Sequence, residues 1–180
     1  MTDTDTKCLD TFPEWLRSLA DDASDLSSAI GDQDLPEPIR RYAVAGLNYL
    51  FKSLDLIPDG IEDLGYLDDA FVLRVAAALA VAETPGAEEK APRVTRLSKD
   101  AKLIAELLGD DFSRLEAYVI KLKTGAARGR TVDEILTDDA IRRDFMNEVS
   151  GWATSYEAPN FARDEKNLVK LKSFLSAKLP

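Results

Sequence analysis

Along most of this chain the apolar residues recur at three- and four-residue steps, and no segment alternates convincingly with period two. That spacing gathers apolar side chains on one face of an α-helix and argues against half-buried strands. The fold class expected is all-α, a helical bundle of about six to eight helices. One stretch interrupts the rhythm. Residues 54–73, LDLIPDGIEDLGYLDDAFVL, place six acidic residues among leucines and isoleucines and carry Pro58, Gly60 and Gly65. Whatever the chain folds into has to accommodate that acidic stretch between two apolar faces.

The first helix is expected to open at Thr11, with Glu14 three residues on as a capping box and Pro13 in the first turn. Leu16, Leu19, Ala23, Leu26 and Ile30 form its stripe, Gly31 ends it, and Asp21, Asp22 and Asp25 are read as a solvated outer face. A second start follows at Asp34, with Glu37 three later and Pro36 and Pro38 in the opening turn. Ile39, Tyr42, Ala43, Gly46, Leu47, Leu50 and Leu54 mark its buried face. Pro58 disfavours helix at Ile57, so this helix is expected to stop around Leu56. Gly46 costs about 1 kcal/mol of helix propensity against alanine, which suggests close approach of a neighbouring helix.

Asp68 or a neighbour is expected to cap a third helix bearing Phe71, Val72, Val75, Ala78, Leu79 and Ala82. The second and third helices are read as an antiparallel hairpin joined by the acidic loop. Residues 84–92, TPGAEEKAP, read as a linker between an N-terminal unit, 1–83, and a C-terminal unit, 93–180, packed on it. Beyond it, Val94 to Leu108 read as one helix, and Phe112 to Leu122 as another capped by Asp110. TGAARGR at 124–130 reads as a solvated, mobile loop, and Thr131 with Glu134 as a capping box. Ile141, Phe145, Val149, Trp152 and Tyr156 give one more stripe, and Leu168, Leu171, Leu175 and Leu179 the last.

Charge narrows the functions. The net charge is −10, with 9 acids against 2 bases in residues 1–35, 8 against 4 in 36–83, 7 against 10 in 84–130, and 9 against 7 in 131–180. An acidic front half repels a phosphate backbone, so no nucleic-acid partner is expected and a basic protein surface suits better. Histidine is absent and Cys8 is the only cysteine. That removes Ser-His-Asp and Cys-His catalysis, His-ligated zinc or haem, and iron–sulfur clusters built from this chain alone. The opening MTDTDTKCLD has neither the basic start nor the apolar core of a secretory signal. The longest nearly apolar run, 70–82, contains Arg74 and is too short for a bilayer span, which takes about 20 residues. A cytoplasmic location is expected.

Residues 39–79, IRRYAVAGLNYLFKSLDLIPDGIEDLGYLDDAFVLRVAAAL, resemble the YkvA-like family, a short bacterial domain of unknown function (number 1232). The resemblance is carried by an Asp-x-x-Pro-Asp element, here Asp55, Pro58 and Asp59, followed by Gly-x-x-Asp-Asp, here Gly65, Asp68 and Asp69. It extends over 39–83 and implies a helical hairpin. It implies no established activity.

Asp55, Asp59, Glu62, Asp63, Asp68 and Asp69 form the only dense constellation. Asp55, Asp59, Asp68 and Asp69 are the candidate ligands for a hard cation, magnesium or calcium, through carboxylate oxygens. The competing assignment makes them helix caps and loop braces, with Asp55 paired to Arg40, Arg41, Lys52 or Arg74. The spacing is not that of an EF-hand, and a prenyl-diphosphate aspartate motif is broken by Val72. Arg128 and Arg130 are candidate interaction residues, placed to meet an acidic partner. Trp15 and Trp152 are expected in the core or a helix seam.

The function expected is a non-enzymatic protein-interaction or adaptor module with no cofactor. The alternatives are a divalent-metal protein or hydrolase using loop 55–69, and a protein associated with the membrane surface of the cell envelope.

Overall fold

The structure is a computed structural model that describes residues 1–52, 55–58, 60–61 and 64–180. It is α-helical, with α1 (Asp3–Gly31), α2 (Glu37–Tyr49), α3 (Leu67–Ala82), α4 (Ala87–Lys90), α5 (Pro92–Ser98), α6 (Ala101–Leu108) and α7 (Asp111–Leu122). A two-stranded ribbon, β1 (Ala126–Ala127) and β2 (Arg130–Thr131), precedes α8 (Val132–Thr137), α9 (Asp139–Ser155) and α10 (Glu165–Lys178). Among the described residues, no helix is long and apolar enough to cross a membrane.

α3 sits at the centre. Every residue from Leu67 to Ala77 is buried, so this helix has no solvent face over its first three turns. It packs against α2, α5, α7, α1 and α6. Ala70, Ala76, Ala77 and Ala80 keep it thin enough for that many neighbours. α2 runs antiparallel to it: Tyr49 meets Asp68, Gly46 meets Leu73 and Ala76, and Tyr42 meets Glu83. A Cβ on Gly46 would lie 3.2 Å from Leu73 Cδ2 and 3.3 Å from Ala76 Cβ, so the glycine is there for close approach.

Several boundaries differ from those expected, each for a physical reason. α1 begins at Asp3, with Thr2 and Asp5 as its capping box, so Thr11 and Glu14 lie mid-helix and Pro13 is inside it. The outer box had the same Thr-x-x-acid form as the inner one. Asp22 is buried, at 1% exposure, and does not belong to a solvated face. α2 ends at Tyr49 rather than near Leu56, closing with i→i+3 bonds from Leu50, Phe51 and Lys52 to Leu47, Asn48 and Tyr49. Asp34 does not cap α2; its amide bonds the Asp32 carboxylate in a turn. The run 94–108 is broken into α5 and α6 at Lys99–Asp100, where the ladder tightens to i→i+3 bonds from the Asp100 amide to Leu97 and from the Leu103 amide to Asp100, both 3.2 Å; the Asp100 carboxylate accepts Arg74 at 2.9 Å. Asp110 stands at the N-terminus of α7 but its side chain caps no amide.

Residues 124–130 are a β-hairpin rather than a loose loop. Arg128 and Gly129 sit at φ +50° and +77°, the left-handed pair of a two-residue type I′ turn, between Ala127 and Arg130. The Thr131–Glu134 box opens α8 as expected, and Asp138 and Asp164 cap α9 and α10. One hydrophobic cluster includes residues of α1, α3, α5, α7, α9 and α10, from Cys8 to Leu179. Segment 84–92 holds α4, with Ala87 and Ala91 buried.

Candidate functional site

The acidic loop leaves α2 at Tyr49 and returns to α3 at Leu67. Apolar side chains pin it: Leu56, Ile57, Leu64 and Leu67 are buried, while Pro58 and Gly60 are exposed. Ile61 N–H bonds the Pro58 carbonyl and Gly65 N–H the Ile61 carbonyl, both at 3.0 Å. Tyr66, at φ +69°, turns the chain into α3 without a side-chain cap.

Asp68 lies in the first turn of α3 but does not cap it. Its carboxylate, fully buried, accepts the Tyr49 hydroxyl at 2.5 Å and the Ile57 amide at 3.2 Å. The Tyr49 oxygen accepts the Leu56 amide at 2.7 Å. One phenol and one carboxylate therefore hold two consecutive loop amides, which would otherwise be buried polar groups without a helix to serve. Burial, followed by the Asp68 charge, holds the Tyr49 hydroxyl far above its ordinary range, so it stays a donor.

Asp69 is 3% exposed. Tyr118 of α7 meets Tyr49 edge-on, ring centroids 6.2 Å apart. Its hydroxyl is pushed up to about 12, by burial first and then by the charges of Asp68, Asp55 and Asp69. Lys52 donates to the Tyr118 oxygen at 3.3 Å and lies 5.2 Å from its ring centre. The structure thus brings Asp55, Asp68 and Asp69 into one neighbourhood. Asp59, Glu62 and Asp63 lie outside the described residues. Among the described residues, no three carboxylate or thiol groups are close enough to hold one metal ion.

Arg74, two turns along α3, is 1% exposed and sits at a second polar centre. It donates to Asp22 on α1 at 3.0 Å, to Asp100 at 2.9 Å and to the Ala70 carbonyl at 3.2 Å, and lies 4.3 Å from the Trp15 ring centre. Asp22 also accepts Ser18 at 2.9 Å and Arg96 at 3.1 Å, and Arg96 reaches Asp25 at 3.4 Å. This network ties α1, α3, α5 and the start of α6 together. Trp15 is in the core, at 5% exposure; Trp152 is half-buried, against Tyr66 and Tyr156.

The Arg128 and Arg130 pair meets α9 and the start of the segment that leaves α2. Both reach Glu148 of α9, at 3.3 and 2.8 Å, and their guanidinium groups lie over Phe51 (4.8 Å) and Phe145 (5.2 Å). The Arg130 hydrogen bond holds Glu148 below the ordinary carboxylate range. Arg130 is the more enclosed, its side chain 13% exposed against 59% for Arg128.

Tyr49 and Tyr118 are the residues that reading the sequence missed. The signal was available for Tyr49, since a buried Asp68 needs a donor and Tyr49 is the phenol at the other mouth of the loop. No curated protein and no solved structure matches the chain. Residues 40–74, from α2 through the loop to Arg74, match the family model described as a protein of unknown function (DUF1232), the YkvA-like family that the motif resembles.

Proposed function

We propose that the protein is a non-enzymatic interaction module in which the α2–α3 hairpin presents the acidic loop to a protein partner bearing basic groups. The observation that supports this reading is Asp68: the carboxylate of the family motif lies fully buried, bonded to Tyr49 and to the Ile57 amide, where it braces the loop. A buried, hydrogen-bonded carboxylate beside a phenol held protonated is poorly placed to meet a substrate. The negative front of the chain would draw a basic partner and orient it, with a cytoplasmic location the natural setting.

The test has two stages. A partner captured by the tagged protein is purified and its affinity measured for wild type and for Glu62→Gln/Asp63→Asn, at about 50 and about 500 mM salt. The expected result is a loss of about tenfold on neutralising the loop or raising the salt. Equal affinity in all four conditions would exclude the loop as the contact.

A second reading rests on the convergence of Asp55, Asp68 and Asp69 on Tyr118. These three do not by themselves make a cation site, so magnesium or calcium would need Asp59 as a further ligand. In that case either cation raises the melting temperature of the chelated protein and Asp69→Asn abolishes the rise. No rise with any divalent cation would exclude this reading.

A further inference from the structure

Tyr66, where the acidic loop enters α3, adopts φ +69°, and its side chain caps no amide there. A left-handed backbone is uncommon for a bulky residue, and such strain gathers at ligand clamps and switch regions. The turn places the Tyr66 ring against Trp152 and Tyr156 at the end of α9, with ring centroids 6.4 and 5.2 Å away. Trp152 and Tyr156 are themselves 5.0 Å apart. Tyr156 donates its hydroxyl to the Leu16 carbonyl at 2.7 Å, which fixes its ring against α1. All three side chains are half-buried, so the cluster keeps part of its surface in solvent.

The surroundings are negative. No lysine or arginine occurs between Lys52 and Arg74, a stretch that holds six acids. Trp152 stands in the last turn of α9, whose carbonyl end carries partial negative charge and has no basic residue in that turn. Next to it Gly151 is exposed, with nothing within 4 Å of where a Cβ would sit, so the helix surface there is open. Elsewhere this chain covers ring faces with its own cations: Lys123 over Tyr42 at 4.9 Å, Arg128 over Phe51 at 4.8 Å and Arg74 over Trp15 at 4.3 Å. Among the described residues no cation lies over Trp152, and its indole N–H has no acceptor. Tryptophan attracts a cation over its face more strongly than tyrosine or phenylalanine does, and arginine is the cation that stacks there most often.

We infer that the Tyr66–Trp152–Tyr156 cluster receives an arginine side chain of the basic partner, with the guanidinium on Trp152 beside the acidic loop. The inference rests on the loop being the contact for a basic protein, and it names the anchor of that contact. Trp, Tyr and Arg are the residues that most often carry the binding energy of an interface.

The test titrates the full chain, isotope-labelled at its two indoles, with an acetylated Gly-Arg-Gly-Arg-Gly amide and with the same peptide carrying citrulline, the neutral isostere, in place of arginine. The Trp152 N–H resonance should move saturably with the arginine peptide and not with the citrulline one, while that of the core Trp15 stays in place. Variant affinities are read from backbone amide shifts. Trp152→Leu should bind at least about tenfold more weakly with an unchanged circular dichroism spectrum, and Trp152→Phe, which keeps a ring, should fall between it and wild type. Glu62→Gln/Asp63→Asn should weaken binding as well. Weakening in the loop variant without weakening in Trp152→Leu would overturn the anchor and leave the loop as the contact. The reverse pattern would keep the anchor and exclude the loop. No saturable movement of the Trp152 resonance up to about 10 mM peptide, or an equal response to the citrulline peptide, would overturn the inference.

Discussion

Asp68 and Asp22 are both buried carboxylates on the central polar seam of the molecule, and they are satisfied in opposite ways. Asp68 is met by neutral donors, a phenol and a backbone amide, and serves a loop. Asp22 is met by two guanidinium groups and serves helix packing. Beside Asp68 the phenol is driven far from ionisation, by burial first and by the carboxylate charge second. Guanidinium partners cancel the charge, at the cost of desolvating Arg74, whose own pKa is lowered by burial. The first arrangement fixes a local shape. The second makes four elements depend on one side chain. Both converge on α3, and residues 40–74, which match the family model, contain the whole Tyr49–Asp68 clasp.

The largest effect is expected from breaking the ionic centre. Arg74→Met leaves the buried Asp22 with the Ser18 hydroxyl and with Arg96, which reaches it from the exposed side, and should cost about 3–5 kcal/mol in urea unfolding. Adding Asp22→Asn should recover a large part of that loss. If the double variant is no better than the single one, the loss is one of packing, and the contrast with Asp68 fails.

Next is Tyr49→Phe, which removes the donor to Asp68 and the acceptor of the Leu56 amide together. The expected cost is about 2–3 kcal/mol. The clasp also fixes a pH dependence. The folded pKa of Tyr49 lies above its ordinary 10.0, so the stability it contributes is fully present below pH 10 and is lost as pH rises toward the folded value. Tyr118, at about 12, and Tyr42, also raised, act in the same direction. Thermal melts above pH 10 should fall steeply in wild type and less steeply in Tyr49→Phe.

Gly46→Ala should destabilise by about 1 kcal/mol in the same urea assay, because crowding of Leu73 and Ala76 outweighs the gain in helix propensity. The smallest effect belongs to Glu148. Its pKa is held below 4.5, so its contribution is present above that pH and is lost as the solution becomes more acidic. It is 40% exposed, which keeps the contribution under about 1 kcal/mol. Glu148→Gln should flatten the acid limb of the melting profile.

Much of the fold was legible because helical periodicity is local. The stripes of α1, α2, α7, α9 and α10, the glycine contact at position 46 and the α8 box all follow from residues a turn or two apart. The failures are where tertiary partners override local signals. Asp100, at the break in a periodic run, gives its carboxylate to Arg74 rather than to a cap. Asp68 has the position of a cap and is taken by a phenol nineteen residues away. Asp22 was legible after all, since it falls three residues after Leu19 and four before Leu26, on the apolar stripe itself. A lone arginine inside an apolar run needs an acid, and Asp22 is the acid so placed. The hairpin at Arg128–Gly129 lacks the Asn-Gly or Asp-Gly pair that announces a type I′ turn. The acidic loop was legible as a loop and its aspartates as braces, but the partner of Asp68 was not named, because the bond joins the two helices on either side.

The most direct measurement is amide hydrogen exchange at Leu56 and Ile57 by NMR, in wild type and in Tyr49→Phe. If the motif is a clasp, both amides are protected in wild type. In the variant they lose protection by at least about a hundredfold more than amides in the middle of α1, which report only on global stability. Rapid exchange of both in wild type, or protection that falls no further than that of α1 in the variant, would contradict the account.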